Sequence, residues 1–170
     1  MLDADSVVHA LYRGTGVRDA VAARLGPGVL GPDGAIDRKA VARVIFADEQ
    51  LRAWLESYIH PLVHDAALEW RRTALRAVPP PRALVEEVQL LFEGDRVEGY
   101  DRTLVVTTSP EIRRARLVAR GRLEGLAARE ARLLPEAEKA ALADDVIVND
   151  GDVSALDRAV VAYLDRVAPR

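Results

Sequence analysis

The 170-residue chain contains no cysteine. That excludes a disulfide-stapled scaffold and any zinc or redox centre built on thiolates, and it fits a reducing compartment. Lysine is almost as scarce: of 24 basic residues only Lys39 and Lys139 are lysine. A phosphate-cradling loop of the G-x-x-x-x-G-K-[ST] form needs a lysine directly after a glycine. The two lysines follow Arg38 and Glu138, so that loop is not in this chain. No apolar run approaches the roughly 20 residues needed to cross a membrane, and no signal-peptide pattern opens the chain. A formal net charge of −3 disfavours a general nucleic-acid coat. With 49% apolar and 30% charged residues, composition is that of a globular domain and not of a disordered chain. The expectation is a soluble, cytoplasmic protein with no nucleic-acid or membrane partner. The length suits one domain with a sizeable core.

Patterning then divides the chain. The opening Met1-Leu2 reads as the end of a strand, and Asp5 to Tyr12 has helical spacing. Gly14 and Gly16 interrupt it, Val17 to Leu25 resume it, and a loop rich in glycine and proline runs from Gly26 to Gly34. Asp37 and Asp48 are set to cap two further helices. Pro61 should kink or restart the second of these, which continues to about Ala77. Val78-Pro79-Pro80-Pro81 is a firm breaker. Three short apolar runs follow: Ala83-Leu84-Val85 with Val88, Leu104 to Thr108, and Asp145 to Asn149. Helical patterns separate them, and Ser109-Pro110-Glu111 reads as a helix start. The fold class expected is α/β, a parallel sheet with helices on both faces and a helical cap over residues 8–78. No internal boundary is visible, so a single domain over residues 1–170 is expected.

In open parallel sheets, ligands bind beyond the carboxyl ends of the strands. Asp3 and Asp5, Glu86 and Glu87, Thr107 and Thr108, and Asn149-Asp150-Gly151 occupy those positions. Carboxylates there suit proton abstraction or magnesium handling; equally, they can simply cap the helices that follow. The stretch from Glu111 to Arg132 carries seven arginines against three acids. Arg116 and Arg120, four apart, share a helix face, and converging guanidinium forks suit polyphosphate. A solvated basic face is the plainer account of the same run. His60 stands in a helical pattern before Pro61, where a structural role is the commoner one, and His9 and His64 signal less. No histidine and carboxylate spacing resembles a metal site.

Taken in order, these segments resemble the dephospho-coenzyme A kinases, enzymes of the P-loop kinase fold. The resemblance rests on Leu2-Asp3-Ala4-Asp5 with Val7-Val8-His9, and on Gly34 to Arg38 with Val44 to Asp48. It continues through Arg52, Leu55, Glu56, Ile59, His60 and Pro61, Glu87 to Glu93, and Arg116 to Arg120. Arg129, Pro135 to Lys139, Ala143-Asp144 and Val148-Asn149-Asp150-Gly151 complete it. Where the family has aspartate and proline, this chain has Glu87 and Gln89, and Leu133 replaces a glutamine.

That resemblance implies phosphorylation of the 3′-hydroxyl of dephospho-CoA by ATP with Mg2+, in coenzyme A biosynthesis. Asp5 would be the catalytic base, and Asp3 would orient it or a magnesium-bound water. Arg116, catalytic as well as nucleotide-binding, would hold the ATP phosphates with Arg120 and Arg129, and Asn149 would lie near the adenine. His60, Glu87, Leu91, Phe92 and Glu93 would line the dephospho-CoA side, and Gly121 to Leu134 would be a lid. The family pattern also places a first strand, a phosphate loop and a first helix ahead of the aspartate pair. The expectation is therefore a chain with that first unit missing, inactive or nearly so by itself. A non-catalytic CoA- or nucleotide-binding remnant and a degenerate fragment are the alternatives.

Overall fold

The computed structural model describes residues 1–94, 97–121 and 133–168. The chain forms two compact units, Met1–Val88 and Gln89–Arg170. Among the described residues there are two separate two-stranded parallel sheets, one in each unit, where the sequence led us to expect one sheet.

In the first unit, β1 (Leu2–Asp3) pairs with β2 (Glu86–Glu87), Leu2 opposite Glu86 and Asp3 opposite Glu87. The Leu2 N–H also donates to the Val85 carbonyl at 2.8 Å. The partner strand β2 is equally short. It falls on the two glutamates and not on Ala83-Leu84-Val85, which correct the expected strand position.

Four helices fill the sequence between the strands: α1 (Ala4–Arg13), α2 (Thr15–Leu25), α3 (Arg38–Ala47) and α4 (Glu49–Leu75). The starts of α1, α3 and α4 are set by short acidic side chains, and α2 begins at Gly14 without one. Asp37 accepts from Lys39 N and Ala40 N at 2.9 and 3.3 Å, and Asp48 from Gln50 N and Leu51 N at 2.8 and 3.0 Å. Each satisfies amides that the first helical turn leaves without partners, a contribution of about 1 kcal/mol per cap. In the intervening loop Gly26 and Gly34 take φ of 93° and 75°, a region that a β-carbon disfavours. α4 runs as one helix through Pro61, so the expected restart does not occur. Proline removes a single amide, the donor to the carbonyl four residues back, and the flanking turns keep theirs.

The core of this unit gathers Val21, Val29, Val41, Leu55 and Ile59, one or two from each of α2, α3, α4 and the turn at residues 27–29. Val21 and Val29 are fully buried. Burial of each such side chain contributes about 1.5–3 kcal/mol, so this cluster dominates the unit's stability. Leu55→Ala would cost about 2–5 kcal/mol through the cavity it leaves.

In the second unit, β3 (Leu104–Thr107) and β4 (Asp145–Val148) pair in parallel over four residues, Leu104 opposite Asp145 through Thr107 opposite Val148. The register is fixed just before the strands. The Asp144 carboxylate accepts from Thr103 N and Oγ1 at 2.7 and 2.8 Å, while Asp144 N donates to Thr103 Oγ1 at 3.0 Å. α5 (Pro110–Ala119) follows β3, α6 (Glu136–Leu142) precedes β4, and α7 (Val153–Val167) closes the chain. Asp152 caps α7 by accepting from Ala155 N at 2.8 Å. Residues 122–132, with Arg129 and most of the expected lid, lie outside the described residues.

Candidate functional site

At the start of the first unit the expected strand-end pair separates into two roles. Asp3 ends β1 and caps α1: its Oδ1 accepts from Asp5 N at 2.9 Å and its Oδ2 from Ser6 Oγ at 2.6 Å. The Ser6 hydrogen bond, with the backbone amides, holds the Asp3 carboxyl below its ordinary range against the opposing effect of burial. Asp5 does not stand at the strand end. It lies exposed in the first turn of α1, where the positive end of the helix dipole favours a carboxylate.

The other residues of this unit that the resemblance singled out are His60 and Glu87. His60 is half-buried in the middle of α4, and Glu87 is exposed on β2. Its neighbour Glu86 faces the other way, as alternation along a strand requires. The Glu86 side chain is 6% exposed and is held by Arg71, whose Nη2 donates to Oε2 at 2.9 Å and whose Nε donates to Oε1. Glu86 is thus part of the structure's interior, and Glu87 is the glutamate open to a ligand.

The second unit brings the remaining candidates to the carboxyl ends of β3 and β4. Asp150, just past β4, accepts from Ser109 N at 2.7 Å and Thr108 Oγ1 at 2.9 Å, and these two bonds, the backbone one foremost, lower its pKa. Ser109 occupies the cap position of α5, yet its side chain makes no capping bond, contrary to expectation. Its amide is taken by Asp150, and Thr108 N donates to Glu136 Oε1 at 2.9 Å. A cleft of about 470 Å³ opens beside these groups, lined by Thr107, Thr108, Ser109, Arg113, Glu136 and Val148 among others.

Arg116 and Arg120 do not share a use of one helix face. Arg116 is half-buried and bonds two backbone carbonyls beyond β4, those of Asn149 and Gly151, at 2.7 Å each. Arg120 is exposed at the carboxyl end of α5, where Gly121 at φ 62° turns the chain away. Asn149 continues the β ladder, its N–H donating to the Thr107 carbonyl at 2.7 Å. Gly151 is required for close packing, since a β-carbon there would come 2.9 Å from Ala155 Cβ.

Leu91 and Phe92 are half-buried in the turn that holds Glu93. The Glu93 carboxylate pairs with Lys139 Nζ at 2.7 Å and accepts from Leu134 N at 3.0 Å, and its second oxygen is buried without a hydrogen-bond partner. Arg129 lies outside the described residues. Among the described residues no group of three histidine, cysteine or carboxylate side chains could hold a metal ion. Asp3 already spends both oxygens on α1.

The family model for dephospho-CoA kinase matches residues 1–155. The chain belongs to the dephospho-CoA kinase family. A curated dephospho-CoA kinase from Symbiobacterium thermophilum is 39% identical over 156 residues, covering 90% of this chain and 64% of that relative. One from Geobacter sulfurreducens is 37% identical over 163 residues, covering 94% of this chain and 82% of its own length. Among solved structures, TT1252 from Thermus thermophilus superimposes with a TM-score of 0.80 at 32% identity, over 98% of this chain and 83% of that one. Dephospho-CoA kinase from Campylobacter jejuni, at 23% identity and a TM-score of 0.68, covers 98% of this chain and 84% of its own and shares the fold. The family assignment made from the ordered motifs is thereby established, and so is the α/β class with parallel strands.

Sequence reasoning missed three pairings. Glu136 gave no sign of reaching Thr108, 28 residues away. Nothing marked Glu86 as the partner of Arg71. Arg38 and His9, whose side chains meet, were visible only as motif positions. The one available signal was a cation at the first position of a helix, next to its acidic cap.

Proposed function

We propose that this protein is an ATP-dependent dephospho-CoA kinase, forming coenzyme A and ADP. Asp5 accepts the proton of the 3′-hydroxyl as that oxygen attacks the γ-phosphorus of ATP, and the bond to the β,γ-bridging oxygen breaks. Asp3 fixes the turn that presents Asp5. Arg120, with Arg129, neutralises the nucleotide's phosphates, and Arg116 does so as well as holding the segment with Asn149 that borders the adenine. His60, Glu87, Leu91, Phe92 and Glu93 line the acceptor side. Magnesium arrives on the nucleotide phosphates as part of the substrate and supplies charge neutralisation there. In this reading residues 1–170 act as one kinase domain in the cytoplasm, with residues 8–78 as the acceptor-side cap and 121–134 as the lid.

What carries the reading is the family match over residues 1–155, which takes in both the Asp3-Asp5 turn and the Arg116 to Asn149 stretch. The exposed position of Asp5 in a helical first turn supports its role, since a base must reach the proton it removes. The test is direct: protein that joins residues 1–170 to a phosphate-loop unit, dephospho-CoA and γ-labelled ATP, with coenzyme A resolved by chromatography. Label appearing in coenzyme A is expected; label released only as inorganic phosphate would overturn the proposal.

A further inference from the structure

Arg38 opens α3 directly after the cap residue Asp37 and is exposed to solvent. A cation at that position faces the positive end of the helix dipole, an arrangement that costs stability unless something compensates. Among the described residues no carboxylate pairs with it. Its contact is with His9, 29 residues away in sequence, where Arg38 Nη1 meets His9 Nε2. A guanidinium donates and cannot accept, so in this contact His9 Nε2 is the acceptor. His9 and Asp5 stand four residues apart on α1 and share a face of that helix. Tyr12 lies within the field of the same guanidinium, which opposes the upward effect of burial on its phenol. Arg38 is therefore fixed beside the face that carries Asp5, with only one of its donors engaged by His9 and its charge not neutralised.

A fixed, uncompensated guanidinium fork suits a phosphate oxygen. We propose that Arg38 is a specificity-determining residue that binds the pyrophosphate of the acceptor nucleotide, with His9 holding the fork in place. This rests on the kinase reading above. It would explain why a cation is kept at an unfavourable helix position. Adenosine carries the same 3′-hydroxyl without a pyrophosphate, so the two ligands separate this contact from the rest of the acceptor site.

Calorimetric titration of wild type, Arg38→Ala, Arg38→Gln and Arg38→Lys with dephospho-CoA, adenosine and ATP tests the assignment. Removing the charge should weaken dephospho-CoA binding about tenfold or more, the loss expected for a charge-assisted contact. Adenosine and ATP affinities should stay within about twofold, and lysine should restore part of the loss because it keeps the charge without the fork. Added salt should weaken dephospho-CoA binding to wild type more than to Arg38→Gln. Arg38→Gln keeps much of the side-chain length, so it stands in if the alanine variant fails to melt cooperatively. Equal dephospho-CoA affinity in wild type and variants overturns the proposal, as does a parallel loss for adenosine or a loss confined to ATP. If wild type itself does not bind dephospho-CoA, the kinase reading fails and this inference with it. If wild type binds and Arg38→Gln binds as well, only this inference fails.

Discussion

Arg116 reaches across the end of the sheet to Asn149, its Nη1 donating to the Asn149 carbonyl at 2.7 Å. The other terminal nitrogen takes the Gly151 carbonyl at the same distance. One side chain on α5 thus holds the first turns of chain after β4, the segment where the adenine is expected.

Two charge-assisted bonds to one guanidinium make a specific demand on geometry. Arg116→Lys keeps the charge but cannot supply two donors in the same plane. Arg116→Ala should lower stability by about 1.5–3 kcal/mol, the range for hydrogen bonds to a charged group. Lysine should recover less than half of that in thermal melts, and nucleotide affinity should fall in both variants. A lysine variant matching wild type in melting and ATP titration would show that only charge matters here.

The proposed base gives a sharper kinetic expectation. Asp5→Asn keeps the shape of the first turn of α1 and removes the proton acceptor. In protein that joins residues 1–170 to a phosphate-loop unit, turnover should drop by about 10²–10⁴-fold, the range for a lost general base, with ATP affinity unchanged by titration. Steady-state turnover near the wild-type value would remove Asp5 from the mechanism.

The Glu93–Lys139 pair makes a pH-dependent contribution. Burial pushes the Glu93 carboxyl up, but the Lys139 ammonium and the Leu134 amide outweigh it, and the net effect is downward. A depressed folded-state pKa means that the stabilisation is present above the unfolded carboxyl's pKa and is lost as pH falls through the folded one. The stability gap between wild type and Glu93→Gln should therefore be largest near neutrality and shrink in acid. Denaturant melts at a series of pH values read this out. A gap independent of pH would mean that the contribution is packing and not charge.

Arg71 and Glu86 form the most buried ion pair among the described residues, with Glu86 6% exposed and Arg71 27%. Glu86→Leu alone takes this carboxylate from a half-buried guanidinium and should cost about 3 kcal/mol. The double replacement Arg71→Met with Glu86→Leu should recover most of that, because a well-packed apolar pair avoids both desolvation penalties. Chemical denaturation of the three variants checks it, and a double variant as unstable as the single one would contradict it.

How much of this was legible beforehand follows the distance over which each feature is decided. The caps at Asp37 and Asp48, the loop from Gly26 to Gly34 and the strands near Leu104 and Asp145 depend on a few neighbouring residues, and they stand where patterning put them. The strand near residue 85 was displaced onto Glu86 and Glu87. Its extent depends on what β1 offers as a partner, and no local signal carries that. Capping was one of two readings left open for Asp3 and Asp5, and only the folded turn shows that Asp3 is the cap and Asp5 the first-turn acid.

The sequence by itself determined the helices, the cap chemistry and the ordered motifs that identify the family, since each is written in short spacings or in residue order. Tertiary structure decided what the charged side chains do. Glu86 and Glu87 are identical in chemistry, yet pleating turns one into an internal partner of Arg71 and leaves the other open. Arg116 takes backbone carbonyls 33 and 35 residues away, and Arg38 finds His9 at a separation of 29. Such pairings are set by how helices and strands pack, which fixes the distance and dielectric that each charge meets.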